Sequence, residues 1–303
     1  MGSGLLGIEE LSRPEIEAIL SRSHDFQPPP REPFKRFQIL RGRTIVNLFF
    51  EPSTRTRTSF ELAAKHLGAE TLSITASGSS VSKGESLVDT LNTLAAMRPD
   101  SIVMRHAASG APHFLSRYLP VPIINAGDGT HEHPTQALLD ARTILDRRDT
   151  LEGLRVVIIG DIAHSRVARS NIHLLSKFGS SIVLCGPASL LPREMAAIAS
   201  GVELSSDMAE AIRDADVIMM LRVQLERQNE AAFPGNEYFP FFGLRQEHIA
   251  LAKPDVIVMH PGPMNRGREI SSEVADSQRS AILNQVENGI SVRMAVLEKV
   301  LCQ

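Results

Sequence analysis

Cysteine is nearly absent: Cys185 and Cys302 are the only two in 303 residues. Two cannot build a disulfide framework, so buried, reduced thiols in a cytosolic protein are expected. No apolar run approaches the ~18 residues of a membrane span. Near the N-terminus no basic stretch leads into a long apolar run, so no signal peptide is expected. Met1-Gly2 starts like a myristoylation signal, but Leu6 stands where Ser or Thr is expected. A surplus of positive charge is lacking too. A net charge of −3 and a pI near 6.4 give no global attraction to nucleic acid or an anionic membrane. Any anion site must therefore be a local cluster of basic groups. Glycine-rich nucleotide loops are also missing. There is no G-x-x-x-x-G-K, and Gly160-Asp161-Ile162-Ala163-His164-Ser165 lacks the second and third glycines of G-x-G-x-x-G, which argues against NAD.

What is present is a steady alternation of apolar runs and helical patterns, the mark of α/β architecture with parallel strands. The length suits two domains of about 150 residues each. Ser12 and Glu15 form a capping box before an opening helix, and Pro28-Pro29-Pro30 breaks the chain. Thr44 to Phe50 reads as a buried strand, followed by a helix with Phe60, Ala63, Ala64 and Leu67 on one face and Gly68 as its stop. Strands are expected at Glu70 to Ala76, Ser101 to Met104 and Val121 to Asn125. A helix face is set by Leu87, Val88, Leu91 and Leu94, and Ser77 to Gly84 reads as loop. A helix from Pro134 leads to a boundary near residues 140–150. The second series has strands at Arg155 to Gly160, Ile182 to Leu184, Val217 to Leu221 and Val256 to Met259, and a helix from Ser165 to Phe178 ended by Gly179. The last ~20 residues are expected to be helical, with Ile282, Val286, Val296, Leu297 and Val300 apolar.

The strongest local signal is Phe49-Phe50-Glu51-Pro52-Ser53-Thr54-Arg55-Thr56-Arg57-Thr58, where a strand ends and a helix begins. Backbone N–H groups at a helix start, with the macrodipole, favour an anion. Ser53, Thr54 and Thr56 add hydroxyl donors, and Arg55 adds a fork suited to phosphate oxygens. The plain alternative is that Ser53 is an N-cap and the arginines are solvated. Ser79-Ser80-Val81-Ser82-Lys83-Gly84-Glu85 is a loop whose lysine can close over a phosphate. Arg105-His106 directly follows a strand, where open α/β sheets place ligands. His131-Glu132-His133-Pro134-Thr135-Gln136 invites a metal reading through His-x-His. No third ligand at a metal-like spacing follows, so carbonyl and amine contacts by His133 and Gln136 fit better and no metal site is expected.

Taken together, Ser53-Thr54-Arg55-Thr56-Arg57, Lys83-Gly84-Glu85, Arg105-His106 and His133-Pro134-Thr135-Gln136 resemble, in order and spacing, the aspartate/ornithine carbamoyltransferase family, over essentially the whole chain. Arg222-Val223-Gln224-Leu225-Glu226-Arg227 is similar to the aspartate-binding loop of its aspartate branch, and Arg166 resembles that branch's other carboxylate ligand. The Ser-Met-Gly and His-Cys-Leu-Pro segments of the ornithine branch are absent. His260-Pro261-Gly262-Pro263 stands in place of the latter, while Met264-Asn265-Arg266-Gly267 departs from the His-Pro-Leu-Pro-Arg form of some members.

The resemblance implies two α/β domains, each a mostly parallel sheet flanked by helices and linked by helices including the C-terminal one. Residues 1–140 would bind carbamoyl phosphate, with a helix at about 283–303 packing back on them, and residues 148–282 would bind aspartate. It implies Ser53, Thr54, Arg55, Thr56, Ser79, Arg105, His133, Gln136, Gly262 and Pro263 around carbamoyl phosphate, and Lys83, Arg166, Arg222 and Gln224 around L-aspartate. Arg55, Thr56, Lys83, Arg105 and His133 would be catalytic, with no cofactor. It further implies a cytoplasmic homotrimer in which Ser79 and Lys83 reach the neighbouring subunit's site, and ion pairs among Glu51, Arg166, Glu226 and Arg227 on domain closure. Some members assemble with a regulatory chain or a dihydroorotase, so such a partner stays open. A carbamoyltransferase for another amine and a non-catalytic scaffold are the rival readings. The aspartate-type loop speaks against the first, and the presence of Lys83, Arg105 and His133 against the second.

Overall fold

The computed structural model describes residues 4–75, 87–222 and 235–302. The chain opens with α1 (Arg13–Asp25). Its capping box is formed as the sequence indicates: the Ser12 hydroxyl accepts from the Glu15 N–H, and the Glu15 carboxylate accepts from the Ser12 N–H at 2.9 Å. β1 (Thr44–Phe49), α2 (Thr54–His66), β2 (Glu70–Thr75), α3 (Leu87–Ala96), β3 (Ser101–His106), α4 (Ala111–Ser116), β4 (Ile123–Asp128) and α5 (Pro134–Leu145) follow. The four strands make a parallel sheet in the order β2-β1-β3-β4. Val46, Leu48, Ile102, Met104 and Ile123 point to one face and pack with Leu91, Leu94 and Leu115 from α3 and α4. Phe60, Ala63, Ala64 and Leu67 are all buried, and Gly68 ends α2 at a φ of +85°.

The second sheet contains β5 (Arg155–Ile159), β6 (Ser181–Cys185), β7 (Val202–Ser205), β8 (Val217–Met220) and β9 (Ile257–Met259), parallel in the order β7-β6-β5-β8-β9. Between them run α6 (Arg166–Ser176), α7 (Met208–Ile212), α8 (Gly235–Phe242) and α9 (Gln246–Ile249), then α10 (Ser272–Ala275) and α11 (Ile282–Leu301). Val157, Ile159, Val183, Ile218, Met220 and Val258 centre its core, closed by Tyr238, Phe242 and Leu244. The chain divides into two compact units, 1–142 with 287–303, and 143–286. The passages between them fall inside α5 and α11. Within the first unit α11 is tied down by Glu298 on Arg22 at 2.6 Å and Asn288 on Gln27.

The α/β class with parallel sheets is borne out, and two local expectations need correction. β4 starts two residues later and runs three further than expected, because the Asn125 amide accepts from Gly127 and donates to Asp128, holding the strand's end in register. The expected C-terminal helix is formed as α11, with Val286 55% exposed. Cys302 is exposed at the end of α11, while Cys185 is sealed in the second core. Burial pushes the Cys185 thiol up to about 12. A thiol reagent is therefore expected to label one cysteine per folded chain, Cys302, and the second only on unfolding. Two fast-reacting thiols in the native protein would contradict this packing.

Candidate active site

In an open parallel sheet the ligand sits beyond the strand C-termini, where the strand order reverses. The first sheet reverses between β1 and β3, and the second between β5 and β8. Ser53 to Thr56 and Arg105 lie at the ends of β1 and β3, and Arg166 and Arg222 follow β5 and β8.

In the first unit β1 hands directly into Ser53 and α2. Ser53 occupies the N-cap position, yet its side chain makes no capping bond to the helix. The plain capping reading of Ser53 is thus overturned: its hydroxyl is left to the helix mouth, where orphan N–H groups and the dipole favour an anion. Thr54 and Arg55 are exposed there, and Thr56 is buried in the first turn. Arg57 turns away toward Glu61, 3.7 Å distant, the ordinary i,i+4 partner. Across the switch point, the Phe50 N–H donates to the Arg105 carbonyl at 2.9 Å and so zips β1 to β3. The Arg105 guanidinium, 11% exposed, bonds Glu51 at 2.9 Å and the Ala126 carbonyl at 3.2 Å. Glu51, read as an interdomain partner, is thus engaged within its own unit. His106 is directed instead to the Ala108 N–H and the Phe50 ring, and burial holds its value below the ordinary imidazole range.

His133 is buried at the start of α5, where its carbonyl accepts from Gln136 at 2.9 Å and Pro134 takes the first helical position. The turn that delivers it is built on Asp128, whose carboxylate accepts from the N–H groups of Gly110 and Glu132 and from Asn125. The Glu132 carboxylate in turn accepts from the Ile8 and Glu9 N–H groups, tying residues 8 and 9 to this turn. Gln136 is buried one turn into α5. Its amide nitrogen donates to Asp140 at 2.9 Å, so its carbonyl oxygen is the free face, an acceptor suited to an N–H₂ group. Asp140 also attracts the fully buried Arg293 of α11, whose value burial pushes down to about 10, still cationic at neutral pH. Arg293 donates to Ser59 and to the Gly289 carbonyl and lies over the Phe60 ring.

Asp140 and Arg293 escaped the sequence reading. The Gln136/Asp140 pair had an i,i+4 signal; Arg293 had none. If Gln136 holds the carbamoyl group, as the family resemblance implies, Asp140→Ala raises the KM for carbamoyl phosphate ~10-fold, the worth of one charge-assisted hydrogen bond that fixes an amide. Asp140→Asn, which can still accept from Gln136, should recover part of it. An unchanged KM in Asp140→Ala would break the link.

In the second unit Ser165 caps α6 through the Ala168 N–H, and Arg166 follows at the first helical position. Arg166 is only 6% exposed, buried rather than solvated on the helix surface. Gly160 allows this turn to close: at φ +143°, an added Cβ would lie 2.8 Å from the Leu221 Cβ. Leu221 extends the β8 ladder by donating to Ile159 at 2.7 Å, which sets Arg222 at the same switch point. After β9, His260 is held by Gln285, and its Nδ1 accepts from the Gly262 N–H at 2.8 Å, shaping the turn with its cis Gly262-Pro263 bond. The unusual Met264-Asn265-Arg266-Gly267 tail is folded by its own contacts: Glu269 accepts twice from Asn265, and Arg266 forks onto Asp276. Ser79, Lys83, Gln224, Glu226 and Arg227 lie outside the described residues.

The family models break the chain near the same point in and after α5, but the second extends through α11, which packs with the first unit. Residues 4–146 match the carbamoyl-P binding domain of aspartate/ornithine carbamoyltransferases, and residues 152–300 match the Asp/Orn binding domain. The chain belongs to the aspartate/ornithine carbamoyltransferase family. It is 77% identical over 301 residues to the aspartate carbamoyltransferase catalytic subunit of Solibacter usitatus, covering 99% of this chain and 100% of that one. The catalytic subunit of Gluconobacter oxydans is 56% identical over 296 residues, 97% of this chain and 94% of that one. Among solved structures, aspartate transcarbamoylase from Trypanosoma cruzi with carbamoyl aspartate and phosphate superposes with a TM-score of 0.87 at 32% identity, over 99% of this chain and 96% of that one. Ornithine carbamoyltransferase from Pyrococcus furiosus gives 0.86 at 32% identity, over 98% and 96%. Near-equal scores mean that the backbone alone does not choose the acceptor.

Proposed function

We propose that the protein is a catalytic aspartate carbamoyltransferase chain, making N-carbamoyl-L-aspartate and phosphate from carbamoyl phosphate and L-aspartate, a step of pyrimidine biosynthesis. The observation that carries this reading is the 77% identity to a named catalytic subunit over the whole chain. The two switch points, with a hydroxyl- and arginine-rich helix mouth in one unit and Arg166 with Arg222 in the other, support it.

In this reading the phosphate docks on Ser53, Thr54, Arg55 and Thr56, with Ser79 added from a neighbouring chain. Thr56, Arg105 and His133 donate to the carbamoyl oxygen, where negative charge grows in the tetrahedral intermediate. Gln136 and the carbonyls around Gly262-Pro263 hold the carbamoyl nitrogen. L-Aspartate is oriented by Arg166, Arg222, Gln224 and Lys83, and its neutral amine attacks the carbonyl carbon. A C–N bond forms, the C–O bond to phosphate breaks, and the ammonium proton passes to the departing phosphate. Positioning and electrostatics carry the rate, since the leaving group is already activated and no cofactor is called for. The working assembly is a homotrimer with shared sites in the cytoplasm; among the described residues no helix is long and apolar enough to cross a membrane.

The test is to supply carbamoyl phosphate with either L-aspartate or L-ornithine and assay the carbamoylated product. Product from aspartate alone supports the reading. Product from ornithine alone overturns the roles of Arg166 and Arg222 and keeps the phosphate site. Product from neither, in a folded protein, overturns the catalytic assignment.

A further inference from the structure

Beside the turn that carries His133 lies a cluster that the transferase reading does not use. One ligand atom each from His113 in α4, Asp128 at the end of β4 and His131 in the turn lie within 4.8 Å of one another. Glu10, from the segment before α1, completes the ring: its Oε1 is 2.5 Å from His113 Nε2. His131 Nδ1 is 3.0 Å from Asp128 Oδ2, and the two imidazoles meet edge to face with centroids 5.3 Å apart. The sequence reading looked for a third ligand after the His131-x-His133 pair. The fold supplies His113, Asp128 and Glu10 from other segments and leaves His133 out of the cluster.

We propose that His113, His131, Asp128 and Glu10 form a binding site for a divalent transition-metal ion of the zinc type. Two imidazoles and two carboxylates are a borderline donor set, suited to Zn²⁺ or Co²⁺ and poor for Mg²⁺ or Ca²⁺. Bonds of about 2.0–2.2 Å in a tetrahedron put donor atoms about 3.4 Å apart, so His113, Asp128 and His131 need only a modest closure, and Glu10, already against His113, must turn in beside them. Glu10 is half exposed and the His113 and His131 rings are partly so, which leaves them room to turn. Asp128, fully buried, is already oriented by Gly110, Asn125 and Glu132, the kind of outer hydrogen bonding that fixes a metal ligand. Without a metal each ring faces a carboxylate, His113 facing Glu10 and His131 facing Asp128, and the two rings pack against each other. One divalent ion faces both carboxylates.

The purified chain is titrated with Co²⁺ and its visible absorption followed, since four-coordinate Co²⁺ absorbs far more strongly than six-coordinate. The expected result is one Co²⁺ per chain with intense bands, displaced by Zn²⁺. Affinity should be at least ~10-fold weaker in His113→Ala and in His131→Gln, which keeps a side chain able to bond Asp128. It should be unchanged in His24→Ala, an exposed histidine of α1 outside the cluster. Zn²⁺ should also raise the melting temperature of the native chain and not that of His113→Ala. Weak six-coordinate absorption in the native chain, or intense bands that persist in folded His113→Ala and His131→Gln, would overturn the site. Neither readout depends on the transferase reaction.

Discussion

His133→Ala is expected to turn over ~10²–10³-fold more slowly than the native chain while still binding phosphate ligands. That factor is the typical loss for one preorganised donor to a developing oxyanion. Removing the ring leaves the backbone work at this position in place. The His133 carbonyl opens α5 by accepting from Gln136, and Pro134 sets the next φ. The preceding turn is held by Asp128 and Glu132. The loss should therefore fall on kcat, with the KM for carbamoyl phosphate changing only a few-fold, the pattern of an interaction made in the transition state. Steady-state kinetics with phosphate inhibition as the binding readout checks it. Near-native turnover removes His133 from the mechanism.

Arg105→Ala should be more damaging, roughly 10³-fold or more in kcat/KM, with KM rising as kcat falls. In the proposed mechanism this guanidinium serves both the phosphate and the carbonyl to be polarised. It is also part of the site's frame. Deleting it removes the ion pair from the mostly buried Glu51 carboxylate and the hydrogen bond to the Ala126 carbonyl. A lowered unfolding midpoint should accompany the kinetic loss, because a buried charge without its partner is destabilising. Arg105→Lys should not restore activity, since a point charge cannot bond Glu51, Ala126 and substrate as a planar fork does. Glu51→Gln separates the roles: it keeps a hydrogen-bond acceptor for Arg105 and should lose far less rate. If Arg105→Lys works as well as the native chain, charge alone is what this position supplies.

Several features of the site were legible because they are local. A strand running into Ser53-Thr54-Arg55-Thr56 announces an anion-binding helix start from residue type and order, since the donors are contiguous in the chain. The Ser12/Glu15 capping box, the Gly68 and Gly179 stops and the apolar face of α2 are local in the same sense. Short elements with weak periodicity were not legible. α4 has six residues and β7 only four, the latter at the sheet edge with partly exposed side chains, so neither carries a full hydrophobic period.

The amino-acid sequence by itself determined the alternating α/β order, the helix mouth after β1, the family and the aspartate-type acceptor loop, because each is written in neighbouring residues. Only the tertiary structure decided which strands meet at the two switch points. It also freed the Ser53 hydroxyl from capping, buried Arg166, paired Arg105 with Glu51 and set Arg293 near Asp140. It gathered His113, Asp128, His131 and Glu10 as well. The physical reason is the same in each case. These contacts join residues from tens to more than a hundred positions apart, or depend on which rotamer a packed neighbour leaves open, and neither follows from spacing along the chain.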